Sequence, residues 1–132
     1  MRFKIPKLAA TIVALGAVCR PASAHHSMAM FDIAKEVTLT GTVIKLQYTN
    51  PHIYLFVEIE KDGKTQPLRV EGGSPSGLNR VGWNSKILQP GDKISVNMRP
   101  TKDGESNFGM LVSVTKADGS KLLAGTNAGP DN

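Results

Sequence analysis

Histidines and methionines near the start of the chain have the residue types that metal binding requires. His25 and His26 follow Ala24, and Met28 and Met30 come shortly after them. If the chain is cleaved after Ala24, His25 carries a free α-amine and an imidazole, and these two nitrogens chelate one metal ion. A third nitrogen, from another imidazole, would complete a histidine brace, a T-shaped site of three nitrogens around one metal ion. Nitrogen-rich sites favour Cu(II), and thioethers suit Cu(I). In an extended segment, His26, Met28 and Met30 would point the same way, so the sequence predicts a copper site with methionines as soft auxiliary ligands.

The third nitrogen of such a site has two sources in this sequence. His26 adjoins the terminal chelate, and His52 follows the dipeptide Asn50-Pro51. As a ligand, His52 requires the amino-terminal segment to fold across the strand that it begins. As a structural residue, it would cap the proline turn or bond a backbone carbonyl. Cleavage one residue earlier would begin the chain with Ala24-His25-His26, a different copper chelate without a brace.

A second set of residues could form a contact surface for an envelope protein or a glycan. Tyr54 and Phe56 alternate with His52 on one face of a predicted strand. Glu71 ends another predicted strand beside a helix start, where it could be a positioned group or a partner of backbone amides. Trp83 could plug one mouth of the barrel or serve as a ligand platform. These residues define the alternative function, a non-enzymatic interaction module.

The first 24 residues have the pattern of a secretory signal peptide. Arg2, Lys4 and Lys7 precede an apolar run from Leu8 to Val18, and Ala22-Ser23-Ala24 fits the cleavage rule. The run is shorter than a membrane span of about 20 residues. We therefore predict an exported protein, periplasmic or secreted, with no transmembrane segment in the mature chain.

Charge and motifs exclude several classes of function. The predicted mature part, residues 25–132, has 12 basic and 11 acidic residues, a net charge of +1, and it lacks the basic stripe of a nucleic-acid binder. The sequence contains no phosphate-binding loop and no Ser/His/Asp arrangement. We therefore predict no catalytic residues; an oxidative copper enzyme is a weaker hypothesis, because so short a chain leaves little surface for a substrate.

Strand patterns dominate residues 25–124, for which we predict one domain, followed by a disordered tail over 125–132. The first strand slips in apolar phase between Val43 and Ile44, which indicates a bulge that Gly41 would ease. Asp62-Gly63 predicts a hairpin. A short helix over Pro75–Val81 separates three strands from two more, ending in a short stretch near residues 121–123. This order predicts an all-β fold with one short helix, specifically a five-stranded OB-like Greek-key barrel, with another small barrel or sandwich as the alternative.

The chain also resembles an uncharacterised family of small exported bacterial proteins, domain of unknown function 6152. The resemblance covers about Ala24 to Leu123. It implies an exported, single-domain β protein and brings no established activity. The motifs that carry it are His25-His26-Ser27, Phe31-Asp32, Gly41-Thr42-Val43, Asn50-Pro51-His52, Glu71-Gly72-Gly73-Ser74-Pro75 with Leu78 and Arg80, Gly82-Trp83, and Pro90-Gly91-Asp92.

Overall fold

A computed structural model describes residues 28–104 and 106–124 as strands around one main apolar core. A short 3-10 turn at Met28–Met30 precedes the strands. The predicted signal segment 1–24, the histidines at positions 25 and 26, and the predicted disordered tail 125–132 lie outside the described residues. The elements in chain order are β1 Val37–Gln47, β2 Tyr54–Lys61, β3 Lys64–Glu71, α1 Pro75–Asn79, β4 Lys93–Pro100, β5 Phe108–Lys116 and β6 Lys121–Leu123.

The strands form a closed barrel of the predicted OB-like type. Antiparallel pairing gives the order β3-β2-β1-β4-β5-β6. The parallel pairing of Arg69–Glu71 in β3 with Phe108–Met110 in β5 then closes the first five strands into a barrel. β6 adds to β5 outside this closure, and α1 lies between β3 and β4 in sequence. The fold-class prediction is confirmed.

β1 can pair with two strands because it bends. Its first half pairs with β4 and its second half with β2, and the register to β2 shifts between Val43 and Lys45. The predicted bulge is therefore present at Ile44. Gly41 permits a close approach, since a Cβ there would overlap the carbonyl oxygen of Glu58. The apolar phase after the slip predicts that Ile44 shares one face with Leu46 and Tyr48. This prediction is wrong for Ile44, which is 43% exposed, whereas Leu46 packs against the core.

β5 also departs from simple alternation. The sequence predicts one face made of Phe108, Met110, Val112 and Val114, but the register to β4 shifts between Asn97 and Met98. Leu111 and Val114 consequently enter the main core. Phe108 and Met110 form a separate cluster with Phe31. The extra residue in β5 thus divides its apolar side chains between two packing sites.

The helix and the tryptophan close one part of the core. The side chain of Ser74 accepts a hydrogen bond from the Gly77 amide at 3.2 Å, and Pro75 opens the helix, as predicted. Trp83 is 2% exposed, and its Nε1 donates to the Leu123 carbonyl at 2.8 Å. Within residues 28–104 and 106–124, no helix has the length and apolar character needed to cross a membrane.

Candidate functional site

The candidate site lies on the outer face of β2, β3 and β5. Successive strand residues point to opposite faces, so burying Leu55 and Val57 of β2 turns their neighbours outward. The strand register then aligns the outward side chains in two rows. One row is Tyr54, Glu71 and Met110, and the other is Phe56, Arg69 and Phe108.

The segment before β1 is fixed at the edge of this outer face. Phe31 is 3% exposed, and its ring centroid lies 5.4 Å from that of Phe108. The Asp32 amide donates to the Pro100 carbonyl at 2.8 Å, and the Lys102 amide donates to the Met30 carbonyl at 2.9 Å. Residues that closely follow His25 and His26 in sequence are therefore anchored next to the outward rows.

The two predicted methionine ligands are separated. Met30 is partly buried against the cluster of Phe31, Phe108 and Met110, whereas Met28 is 60% exposed. The expectation that Met28 and Met30 share one extended edge is wrong, because both belong to the same 3-10 turn. Met28 presents its thioether to solvent, and Met30 serves mainly to hold the segment down.

His52 is oriented by the backbone of the turn that follows β3. Its Nδ1 lies 3.2 Å from the Gly72 carbonyl oxygen. Because a carbonyl oxygen only accepts, Nδ1 carries the proton of this hydrogen bond, and in a neutral ring Nε2 keeps its lone pair. This backbone contact agrees with the structural role that the sequence allowed for His52. It also has the form of the outer hydrogen bond that orients histidines bound to metals.

Glu71 faces the other nitrogen of the same ring. Its Oε1 lies 3.8 Å from His52 Nε2, and the side chains are 9% and 38% exposed, respectively. The second oxygen, Oε2, is buried and has no hydrogen-bond partner within residues 28–104 and 106–124. The contact described for the Glu71 carboxylate is thus with the His52 ring and not with a backbone amide.

Tyr54 stands beside this carboxylate in the row. Burial raises the pKa of the Tyr54 phenol, and the negative charge of Glu71 raises it further, whereas the Arg69 guanidinium lowers it. The approach of the phenol hydroxyl to the Glu71 carboxylate also raises this pKa. The balance is a raised pKa, so the phenol stays protonated at neutral pH. Tyr54 therefore adds a dipole next to Glu71 and no charge.

The aromatic side chains of this face are already covered by cations of the protein. Lys45 Nζ lies 4.7 Å from the Phe56 ring centroid. Arg69 Cζ lies 4.3 Å from the Phe108 centroid and 5.6 Å from that of Tyr54. The grouping of Trp83 with Tyr54 and Phe56 in one contact surface does not hold, because Trp83 is in the core. Fewer open ring faces are left for a glycan than the sequence suggested.

The described part of the barrel contains a pair of metal-ligand side chain types and no larger group. In the part of the chain that the structure describes, no group of three or more His, Cys, Asp or Glu side chains could hold a metal ion. His52 and Glu71 form a pair, and His25 and His26 lie outside the described residues. Arg69 and Met110 also lie on this face, but no sequence motif marks them, because their places depend on the pairing of β3 with β5.

A groove opens at the opposite ends of β2 and β5. Its lining includes two carboxylates and two amines, together with threonine hydroxyls. Among these residues are Thr40, Glu58, Glu60, Lys93, Thr115 and Lys116. The groove is remote from His52 along β2, and its mixed charge defines no single ligand.

Comparison with protein families identifies the chain. Residues 13–110 match DUF6152, a family of unknown function, and the chain belongs to this family. The resemblance drawn from its motifs is therefore confirmed. A comparison with curated proteins finds no match.

Proposed function

We propose that the protein is an exported, non-enzymatic copper-binding protein, whose role is to store, deliver or sense the metal. The α-amine and imidazole of His25 supply two nitrogens, and His52 Nε2 supplies the third. His26 is the competing source of that third nitrogen. Exposed Met28 is the soft auxiliary ligand that accommodates Cu(I).

One observation carries the proposal: the segment that follows the terminal histidines is anchored on the barrel beside the strand that His52 precedes. A terminus without contacts to the barrel would not stay near a barrel histidine. In this protein Phe31 is buried, and the Met30 carbonyl accepts a hydrogen bond from the Lys102 amide. His25 precedes the anchored Met30 by five residues, so the chain between them can span at most about 17 Å. This anchoring supports His52 as the third ligand.

The orientation of His52 gives further support. Metal-binding histidines usually donate their second ring N–H to a carbonyl or carboxylate, which fixes the tautomer. The contact of His52 Nδ1 with the Gly72 carbonyl has this form. It leaves Nε2, the nitrogen proposed to bind copper, as the acceptor.

Intact mass spectrometry of the exported protein, before and after one equivalent of Cu(II), tests the proposal. We expect a chain that begins at His25 and retains one copper ion. His25→Ala with the terminus otherwise intact should lose tight binding, and comparing His26→Ala with His52→Ala identifies the third ligand. A different start, or unchanged affinity in His25→Ala, would refute the arrangement. Partner binding that survives removal of residues 25–30 would then favour the interaction module.

A further inference from the structure

The carboxylate of Glu71 has an unusual environment for an outward-facing residue of a small barrel. Its side chain is 9% exposed, and no hydrogen bond joins Oε2 to any residue in the part of the chain that the structure describes. Buried carboxylates are normally paired or bound to a metal, because removing the charge from water is costly. The described residues therefore leave part of the negative charge of Glu71 uncompensated.

The nearest basic side chain on the same strand does not compensate it. The Arg69 guanidinium lies against the rings of Phe108 and Tyr54, and the ion pair described for Glu71 is with His52. The protonated Tyr54 phenol brings its hydroxyl dipole to the Glu71 carboxylate and no positive charge. Among the described residues, His52 is the basic side chain that faces Glu71.

When the imidazole is neutral, His52 and Glu71 face each other with two hydrogen-bond acceptors, each of which carries a lone pair. Nδ1 of His52 donates to the Gly72 carbonyl, so Nε2 turns a lone pair toward Glu71 Oε1 at 3.8 Å. Such an arrangement is repulsive until a proton or a cation lies between the two atoms. The separation fits a metal ion, since two metal–ligand bonds of about 2.0–2.2 Å span up to about 4 Å.

We propose that His52 Nε2 and the Glu71 carboxylate are a ligand pair for a divalent metal ion, with Glu71 supplying the anionic ligand. The inference deepens the proposed copper site and rests on it for the identity of the metal, whereas the ligand pair rests on the barrel geometry. A carboxylate is a hard ligand, so it stabilises Cu(II) more than Cu(I). Glu71 therefore makes this a site that holds oxidised copper more firmly than reduced copper.

The test compares Glu71→Gln with Glu58→Gln, a matched loss of one carboxylate at an exposed position of β2. Cu(II) and Cu(I) affinities of the exported protein are measured by competition with chromophoric chelators. We expect Glu71→Gln to lower Cu(II) affinity by about 10- to 100-fold or more, with a smaller effect on Cu(I). Glu58→Gln should change neither. Equal affinities in the two variants would overturn the proposal.

A second form of the protein separates this inference from the proposed function. Adding Gly-Pro-Gly-Ser before His25 displaces the terminal amine and removes the brace without placing a histidine at the third position of the chain, where it would form another copper chelate. If the brace is wrong and the pair is right, both forms bind Cu(II) alike and Glu71→Gln weakens both. If the brace is right and the pair is wrong, the extension weakens binding and Glu71→Gln does not.

A measurement on the unmodified sequence avoids dependence on the folding of a variant. Substoichiometric Cu(II) broadens the NMR signals of nuclei close to the bound ion. We expect the side-chain signals of His52 and Glu71 to broaden while those of Glu58 persist. Sharp signals from His52 and Glu71 in the presence of bound Cu(II) would overturn the proposal.

Discussion

Replacing Phe31 with alanine should release the amino-terminal segment while leaving the barrel folded. Phe31 is 3% exposed and stacks at a tilt on Phe108. Loss of a buried phenylalanine costs about 3–5 kcal/mol in a core. The two backbone hydrogen bonds that also hold the segment contribute about 0.5–1.5 kcal/mol each. Against them, ordering the backbone costs about 1–2 kcal/mol per residue.

The sum of these free-energy contributions predicts that the amino-terminal segment detaches from the barrel in Phe31→Ala. Without the Phe31 ring, the two hydrogen bonds cannot offset the conformational entropy of the residues between Met28 and β1. The loss of global stability is then limited to the docking free energy of the segment, because the barrel strands keep their own pairing. Amide hydrogen exchange should show that Asp32 and Lys102 lose protection. The Gly72 amide, bonded to the Ile53 carbonyl inside the fold, should keep its protection.

The same variant should weaken copper binding. A detached segment presents His25 to His52 at the millimolar effective concentration of a flexible linker, instead of from a fixed anchor. Ile33→Ala is the matched control, because Ile33 belongs to the same segment and is 62% exposed. If Phe31→Ala retained the amide protection and copper affinity of Ile33→Ala, the anchoring argument would fail.

Three further predictions concern the barrel that positions the site. Gly41→Ala should destabilise it by about 1–3 kcal/mol in urea unfolding, because the new Cβ would overlap the backbone of β2, while Gly73→Ala, whose nearest atom is 3.9 Å away, should not. Trp83→Phe leaves the Leu123 carbonyl without its donor and should cost about 1–3 kcal/mol, with hydrogen exchange increased mainly in β6; unchanged exchange there would contradict this. Folding raises the pKa of Tyr54, so the stability that its neutral phenol contributes is fully present below about pH 10 and is lost as the pH rises through the folded pKa. Tyr54→Phe should therefore reduce the fall in unfolding free energy that is measured above about pH 10.

Most of the barrel could be predicted from local signals in the sequence. The phase slip after Val43 indicated the bulge that lets β1 pair with two strands, and Ser74-Pro75 marked the start of the helix. The division of β5 between two clusters could not be predicted. It depends on a register shift against β4, which no residue of β5 marks by itself.

The pairing of the site residues was predictable in principle. The hairpin at Asp62-Gly63 fixes the register of β2 against β3. Counting outward from the turn pairs Lys61 with Lys64 and, further along, Tyr54 with Glu71. This register brings Glu71 next to His52, although the two residues were interpreted separately from the sequence.

The anchoring of the amino-terminal segment was not predictable in this way. The residues around Met30 are too few to show a period, and their docking depends on Phe108, which a simple alternation placed on the barrel interior. The position of Phe108 follows from the parallel pairing of β3 with β5. Such a contact between distant parts of the chain has no local signal in the sequence.

The two functional hypotheses make opposite demands on the outer face, and the contacts there favour metal binding. A glycan or protein platform needs open aromatic surfaces, but Lys45 covers Phe56, and Arg69 covers Phe108 and Tyr54. A metal site needs oriented electron pairs with unmet charge, and His52 Nε2 with Glu71 provides them. The same strand register produces both conditions, because it stacks Arg69 on the rings, and among the described residues Glu71 then forms its ion pair with His52. A cation between His52 Nε2 and the Glu71 carboxylate is therefore the ligand that we expect this face to bind.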